Sequence, residues 1–178
     1  MNSGRKSIVL IGFMGAGKSS VGRWLERRTG LSRLDTDEMV VARYGQPIPE
    51  IFSKHGEVAF RDAETETLRA VDADRPAIIV TGGGTILRAE NVKLLKRLGT
   101  IVWLHGDEET LFERAGRLRN RRPLLQTENP RKTFSDLMKE RKPLYAKVAD
   151  FRVDTTALSH EQVANEVLRK LEQLNGND

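Results

Sequence analysis

Gly12-Phe13-Met14-Gly15-Ala16-Gly17-Lys18-Ser19 places two glycines, a lysine and a hydroxyl residue at the spacing of a phosphate cradle. Glycines at these places let successive backbone N–H groups curl around phosphate oxygens. A helix opening at Lys18 would aim its positive end at the same oxygens. Lys18 is then expected to reach the β- and γ-phosphates of a nucleotide, and Ser19 to set its hydroxyl on Mg²⁺. A chance match is the alternative, but the motif follows an apolar run and opens a helical pattern. By itself it does not separate a kinase from a hydrolase or a nucleotide-sensing regulator.

Asp35-Thr36-Asp37 is the second cluster. In an extended segment, residues two apart point the same way, so both carboxylates can face a cleft. One could hold a metal through water, and the other could align and deprotonate an attacking hydroxyl. The alternative is helix capping by Asp37, which precedes a helical stretch. Arg61 shares a helical segment with Glu57 and Glu64. It reads either as a solvent-facing ion pair or as a planar fork for a substrate carboxylate. Arg141, in Lys139-Glu140-Arg141-Lys142, has the same two readings. Phe52 and Phe60 read as core. Gly82-Gly83-Gly84 suits either a backbone that approaches a ligand closely or a tight turn. Arg122 could stabilise charge on a transferring phosphoryl group. Arg114, Arg117, Arg119 and Arg121 crowd the same stretch, and solvated charge is its other reading.

These clusters need a scaffold, and the rest of the chain supplies one. Short apolar runs at Ser7–Ile11, Ala77–Thr81 and Thr100–Leu104 alternate with helical patterns, the mark of βαβ units and a parallel sheet. Leu34 ends a short second strand, and Phe151–Val153 forms a last one. Helices are expected at about Lys18–Arg28, Asp37–Tyr44, Ile48–Lys54, Glu57–Val71, Ala89–Leu98, Asp107–Ala115, Arg131–Val148 and Ser159–Leu174, the last with Ser159 as its N-cap. Arg117–Asn129 has little apolar periodicity and reads as a mobile loop. The expected architecture is α/β in three layers, α/β/α, with a central five-stranded parallel sheet and a mobile lid. Sheets of this kind bind ligands beyond the carboxyl ends of their strands.

Composition sets the outer limits. The 178 residues fit one domain, with 38% apolar residues for a single core. No long uncharged apolar run suggests a membrane span. No secretory signal is evident, so the cytoplasm is expected. Cysteine is absent, which excludes thiol chemistry and thiolate metal sites. The net charge of +5 fits an anionic small molecule. Nucleic acid is not expected as a partner, because the basic stretch Arg114–Arg122 lacks aromatic residues for base stacking.

Together the motifs resemble the shikimate kinases, from about Ile8 to Asp154. The likeness rests on Gly12-x-x-Gly15-x-Gly17-Lys18-Ser19, Asp35-Thr36-Asp37, Ile48-x-Glu50-Ile51-Phe52 and Gly56-Glu57-x-x-Phe60-Arg61-x-x-Glu64. It continues through Gly82-Gly83-Gly84, Arg122-Pro123-Leu124-Leu125 and Arg141-x-Pro143-Leu144-Tyr145. The resemblance implies a nucleoside-monophosphate-kinase-like fold with the phosphate-loop strand central. It implies phosphoryl transfer from ATP to the 3-hydroxyl of shikimate, a step toward chorismate and the aromatic amino acids. By position, Gly15, Ala16, Gly17, Lys18, Ser19 and Ser20 would cradle ATP. Ser19, and Asp35 through water, would hold one Mg²⁺. Asp37 would hold the shikimate hydroxyls and act as base. Arg61, Gly82, Gly83, Gly84 and Arg141 would bind shikimate, the two arginines on its carboxylate. Lys18, Asp37 and Arg122 would form the catalytic set, with Arg122 on the lid reaching the phosphates. A single domain spanning 1–178 is implied, with an acceptor-binding helical segment at about 37–64, a lid at about 115–129 and a monomeric state. Some members of the family carry an arginine after the last strand that packs on adenine. Asp154–Ser159 has none, so backbone or apolar contacts to the base are expected there. A gluconate kinase would share the cradle, but the Asp35–Asp37, Phe60-Arg61 and triple-glycine set argues against it. A silent, regulatory relative would be expected to have lost catalytic residues.

Overall fold

The computed structural model describes residues 6–117 and 123–176. Arg122, and with it much of the expected lid, lies outside the described residues. Five parallel strands form one sheet in the order β2-β3-β1-β4-β5. They are β1 (Ser7–Ile11), β2 (Arg33–Asp35), β3 (Ile78–Val80), β4 (Gly99–His105) and β5 (Phe151–Asp154). Leu10 sits opposite Val80 on one side and Val102 on the other, so the phosphate-loop strand is central. Residues of β1 are buried throughout, which is why its run is apolar without alternation.

Helices α1 (Lys18–Thr29), α2 (Thr36–Tyr44), α3 (Ile48–Arg69), α4 (Ala89–Leu98), α5 (Glu108–Gly116), α6 (Pro130–Val148) and α7 (His160–Asn175) make the connections. From β1 the chain steps to β2, two places in one direction; every later step runs the other way. Right-handed crossovers therefore put α1 on one face and α2 to α6 on the other. α7 packs on α1 and completes the first face. The direction reverses between β1 and β3, and the loops leaving these two strands diverge into a crevice.

Local sequence explains the ends of the elements. Ser159 caps α7 and forms a reciprocal box with Gln162. Asp107 caps α5 through the Thr110 N–H. The two helical segments expected across 48–71 form one helix, α3, broken at Gly56, whose φ of 81° and ψ of 168° suit glycine. The stretch expected to be loop contains a 3₁₀ turn at Pro123–Leu125, because Leu125 is drawn into the core. The main core surrounds β1, β3 and β4, with Leu10, Ile79 and Leu104 shut off from solvent. Burying each such side chain contributes about 1.5–3 kcal/mol. A smaller core of Val40, Ile51, Phe60 and Ala63 joins α2 to α3 and holds that pair as a unit beside the crevice.

Candidate active site

The phosphate cradle is built as its sequence requires. Gly15 and Gly17 have φ of +86° and +82°, and a Cβ on Gly15 would collide with the Leu111 carbonyl. Gly17 is the N-cap of α1, which has no side-chain cap and no acidic residue in its first turn. The N–H groups there face the crevice with the positive end of the helix behind them. Lys18 Nζ donates to the carbonyls of Gly12 (2.7 Å) and Phe13 (3.1 Å). Ser19 Oγ donates to Asp35 Oδ2 at 3.0 Å.

The two aspartates differ from the extended-segment expectation. Asp35 ends β2, and Asp37 already lies in the first turn of α2. The cap is Asp35: its Oδ1 accepts from the N–H groups of Asp37 (3.1 Å) and Glu38 (3.4 Å). Its Oδ2 also accepts from Arg33 Nη1 at 3.3 Å. With Asp35 holding the helix end, Asp37 is left to project into the crevice.

Two adjoining pockets occupy that crevice. The larger, about 1160 Å³ of open space, includes Lys18, Ser19, Ser20, Asp35 and Asp37 in its walls. Arg114, Arg117 and His160 complete its rim. Arg114 donates to the carbonyls of Thr155 (2.9 Å) and Thr156 (3.1 Å) and so pins the loop after β5. His160 packs against the cradle, since a Cβ on Gly17 would lie 2.9 Å from its Nε2. Only backbone and apolar contacts were expected from the post-β5 stretch. A cation from α5 and an imidazole just beyond that stretch stand beside it. The crowding of arginines hid Arg114, and nothing local marks His160.

The smaller pocket holds about 530 Å³ and is bounded by Asp37, Arg61, Glu64, the three glycines and Arg141. Ile48, Phe52, Phe60, Pro123 and Leu124 form its apolar side. Phe60 thus serves both as core and as wall. Met14, Asp37, Gly82 and Gly83 line both pockets. Of the residues assigned to the ATP, acceptor and metal sites from the sequence, Arg122 lies outside the described residues, Ala16 is buried within the cradle, and the others line this crevice.

Arg61 is not a surface ion pair. It is 8% exposed, and its partner Glu64 is fully buried. Nη1 donates to Glu64 Oε2 at 2.6 Å and Nη2 to Glu57 Oε1 at 3.0 Å. Burial works against the guanidinium charge, but Glu64 and Glu57 outweigh it and hold Arg61 above its ordinary pKa. Glu64 also accepts from Thr85 Oγ1 at 2.7 Å. Its orienting role went unread in the sequence, where only the Arg-x-x-Glu spacing hints at it. Arg141 is 4% exposed, and its Nε has no partner among the described residues.

The triple glycine sits in a turn, one of the two readings considered: the Gly82 carbonyl accepts from the Thr85 N–H at 3.3 Å. None of the three has a positive φ. A Cβ on Gly82 would lie 2.6 Å from Glu64 Oε1 and 2.7 Å from Asp37 Oδ1, and one on Gly84 would overlap the Arg61 guanidinium. Gly82 and Gly84 thus also make room for charged side chains, whereas a Cβ on Gly83 would meet nothing nearer than 3.6 Å.

Asp37 is half-buried as a residue, yet its Oδ1 is sealed from solvent and accepts no hydrogen bond among the described residues. Burial first, then repulsion by Glu64 and Asp35, outweigh Lys18 and Arg61 and push its carboxyl up to about 7. A carboxylate tuned near neutrality between a phosphate cradle and a bi-arginine pocket can take a proton from a hydroxyl.

The chain is similar to known proteins in sequence and in fold. A family model described as shikimate kinase matches residues 14–172. The shikimate kinase of Thermodesulfovibrio yellowstonii is 46% identical over 169 residues, 95% of this chain and 96% of that protein. That of Moorella thermoacetica is 47% identical over 165 residues, 93% of this chain and 94% of its own. Among solved structures, shikimate kinase from Acinetobacter baumannii in complex with shikimate superposes with a TM-score of 0.89 at 40% identity, covering 94% of this chain and 93% of the other.

Proposed function

The chain belongs to the shikimate kinase family, and we propose on that footing how its residues move the γ-phosphoryl group of ATP to the 3-hydroxyl of shikimate. One observation carries the reading: Asp37 stands in the wall common to the phosphate pocket and the pocket flanked by Arg61 and Arg141. A hydroxyl held there meets a base on one side and the terminal phosphorus on the other.

ATP lies along the cradle from Gly15 to Ser20, with Lys18 swinging from its loop carbonyls to the β- and γ-phosphates. Arg61 and Arg141 take the acceptor carboxylate between two planar forks, which fixes the ring and selects one hydroxyl. The Gly82–Gly84 backbone closes the third side. Asp37 accepts the hydroxyl proton as the new O–P bond forms. The bond from γ-phosphorus to the bridging oxygen breaks, and ADP leaves. Arg122 is assigned to the phosphates as the lid comes down and water is excluded.

Ser19 Oγ and Asp35 Oδ2 are hard oxygen donors converging beside the cradle, which fits Mg²⁺ shared with phosphate oxygens. When bound, the ion supplies positive charge to those oxygens. A need for ATP supports a cytoplasmic place.

A coupled assay of ADP release with ATP, Mg²⁺ and shikimate tests the reading, with gluconate and no-acceptor controls. Release that depends on shikimate and is absent from both controls is expected. Release with gluconate alone would overturn the acceptor assignment.

A further inference from the structure

Tyr145 lies one helical turn after Arg141 on α6, so both point toward the glycine loop. Its side chain is buried, and its hydroxyl donates to the Gly83 carbonyl at 2.5 Å. The ring stacks on Trp103 of β4, with centroids 6.0 Å apart and planes at 23°. Burial holds the phenol in its protonated, donating form.

The loop it touches is a turn closed by the Thr85 N–H, which donates to the Gly82 carbonyl at 3.3 Å, with the Gly83–Gly84 peptide inside it. Three consecutive glycines carry no side chain to oppose rotation of a peptide plane. On one side, the Gly82 N–H donates to Thr36 Oγ1 at 3.2 Å. On the other, the Gly84 carbonyl accepts from the Leu87 N–H at 3.0 Å. Between them, the Gly83–Gly84 peptide is held by Tyr145. No peptide bond among the described residues is cis, so the Gly84 N–H points opposite to the Gly83 carbonyl. Gly83 and Gly84 both line the acceptor pocket, whereas Tyr145 does not.

We propose that Tyr145 is a positioning residue for the acceptor: by holding the Gly83 carbonyl toward α6, it turns the Gly84 N–H toward the bound carboxylate. With the hydroxyl gone, the plane is free to rotate and present the negative end of a carbonyl to an anion. Arg61 lies against Gly84, as the overlap of its guanidinium with a Cβ there shows. The N–H and the guanidinium therefore address the same end of the acceptor.

The inference rests on the shikimate reading, and wild-type turnover with shikimate checks that reading separately. Tyr145→Phe keeps the ring and its stacking and deletes the hydroxyl, which donates to Gly83 and also meets the Arg141 side chain. The expected result is a rise of about tenfold in KM for shikimate, as suits one lost hydrogen bond beside a charged ligand. The kcat and the KM for ATP should stay within about twofold. A 4-aminophenylalanine side chain installed at position 145 restores an N–H donor at the same place and should recover most of the loss. Equal KM increases for both substrates, an unchanged shikimate KM, or no recovery with the amino side chain would each overturn the proposal.

Discussion

Arg61 Nη1 donates to Glu64 Oε2 at 2.6 Å, and the glutamate that receives it has no contact with solvent. A guanidinium so held cannot swing away when the acceptor leaves. Its geometry is set before binding, so less ordering remains to oppose association. Glu64→Gln should therefore raise the shikimate KM by about tenfold or more and lower Tm by several degrees, because breaking a buried pair strands its partner. The ATP KM should barely move. Steady-state kinetics with each substrate varied, beside a melting curve, would show it.

Asp37 gives a pH signature. Its carboxyl must be ionised to act as a base, and its pKa in the fold is about 7 against an ordinary 3.8. The kcat/KM for shikimate should climb tenfold per pH unit below that value and level off above it. Glu64→Gln should move the rise to lower pH, since one source of repulsion is gone. The raised value also penalises the fold: stability is lost as pH rises from the unfolded pKa toward the folded one. Asp37→Asn should thus gain Tm relative to wild type, the gain growing from about pH 4 and complete above about pH 7, while losing kcat by about 10²–10⁴-fold. A pH-independent rate from 5 to 9 would dismiss this carboxylate as the base.

Lys18→Ala should leave turnover lower by about 10²–10⁴-fold, a loss suited to removing one charge aimed at the transferring group. The nearby carbonyls of Gly12 and Phe13 hold the ammonium in place and need no charge to stay folded. Far-ultraviolet circular dichroism should match wild type. Activity close to normal would remove Lys18 from the mechanism.

Arg141→Lys should raise the shikimate KM by about tenfold, although the charge is kept. Its buried Nε has no partner among the described residues, which leaves that donor for a ligand. A lysine replaces the planar fork with a point charge on a flexible stem. An unchanged KM would count against contact with the carboxylate.

Legibility in the sequence followed the range of the interaction. The cradle is local: glycine, lysine and serine act within eight consecutive residues, and the strand before them is a solid apolar run. The sheet was legible for the same reason, and its five strands appear within one or two residues of expectation. Glu64 was not, because its value comes from burial against Thr85, twenty-one positions away. His160 meets Gly17 across most of the chain, and no periodicity reports that. The glycine run was read as a close approach to a ligand or a tight turn, and the room that Gly82 and Gly84 leave for Asp37, Glu64 and Arg61 is a further reason that only neighbours in space reveal.

The common wall of Met14, Asp37, Gly82 and Gly83 has a consequence for ligand chemistry. The proposed nucleotide and acceptor pockets therefore adjoin directly, with these four residues lining both. A single molecule carrying an adenosine phosphate tail and a cyclic carboxylate could bridge them with a tether of only a few atoms. Joining the two halves makes the second capture intramolecular, so even weak fragments gain affinity through effective concentration once the tether matches the gap.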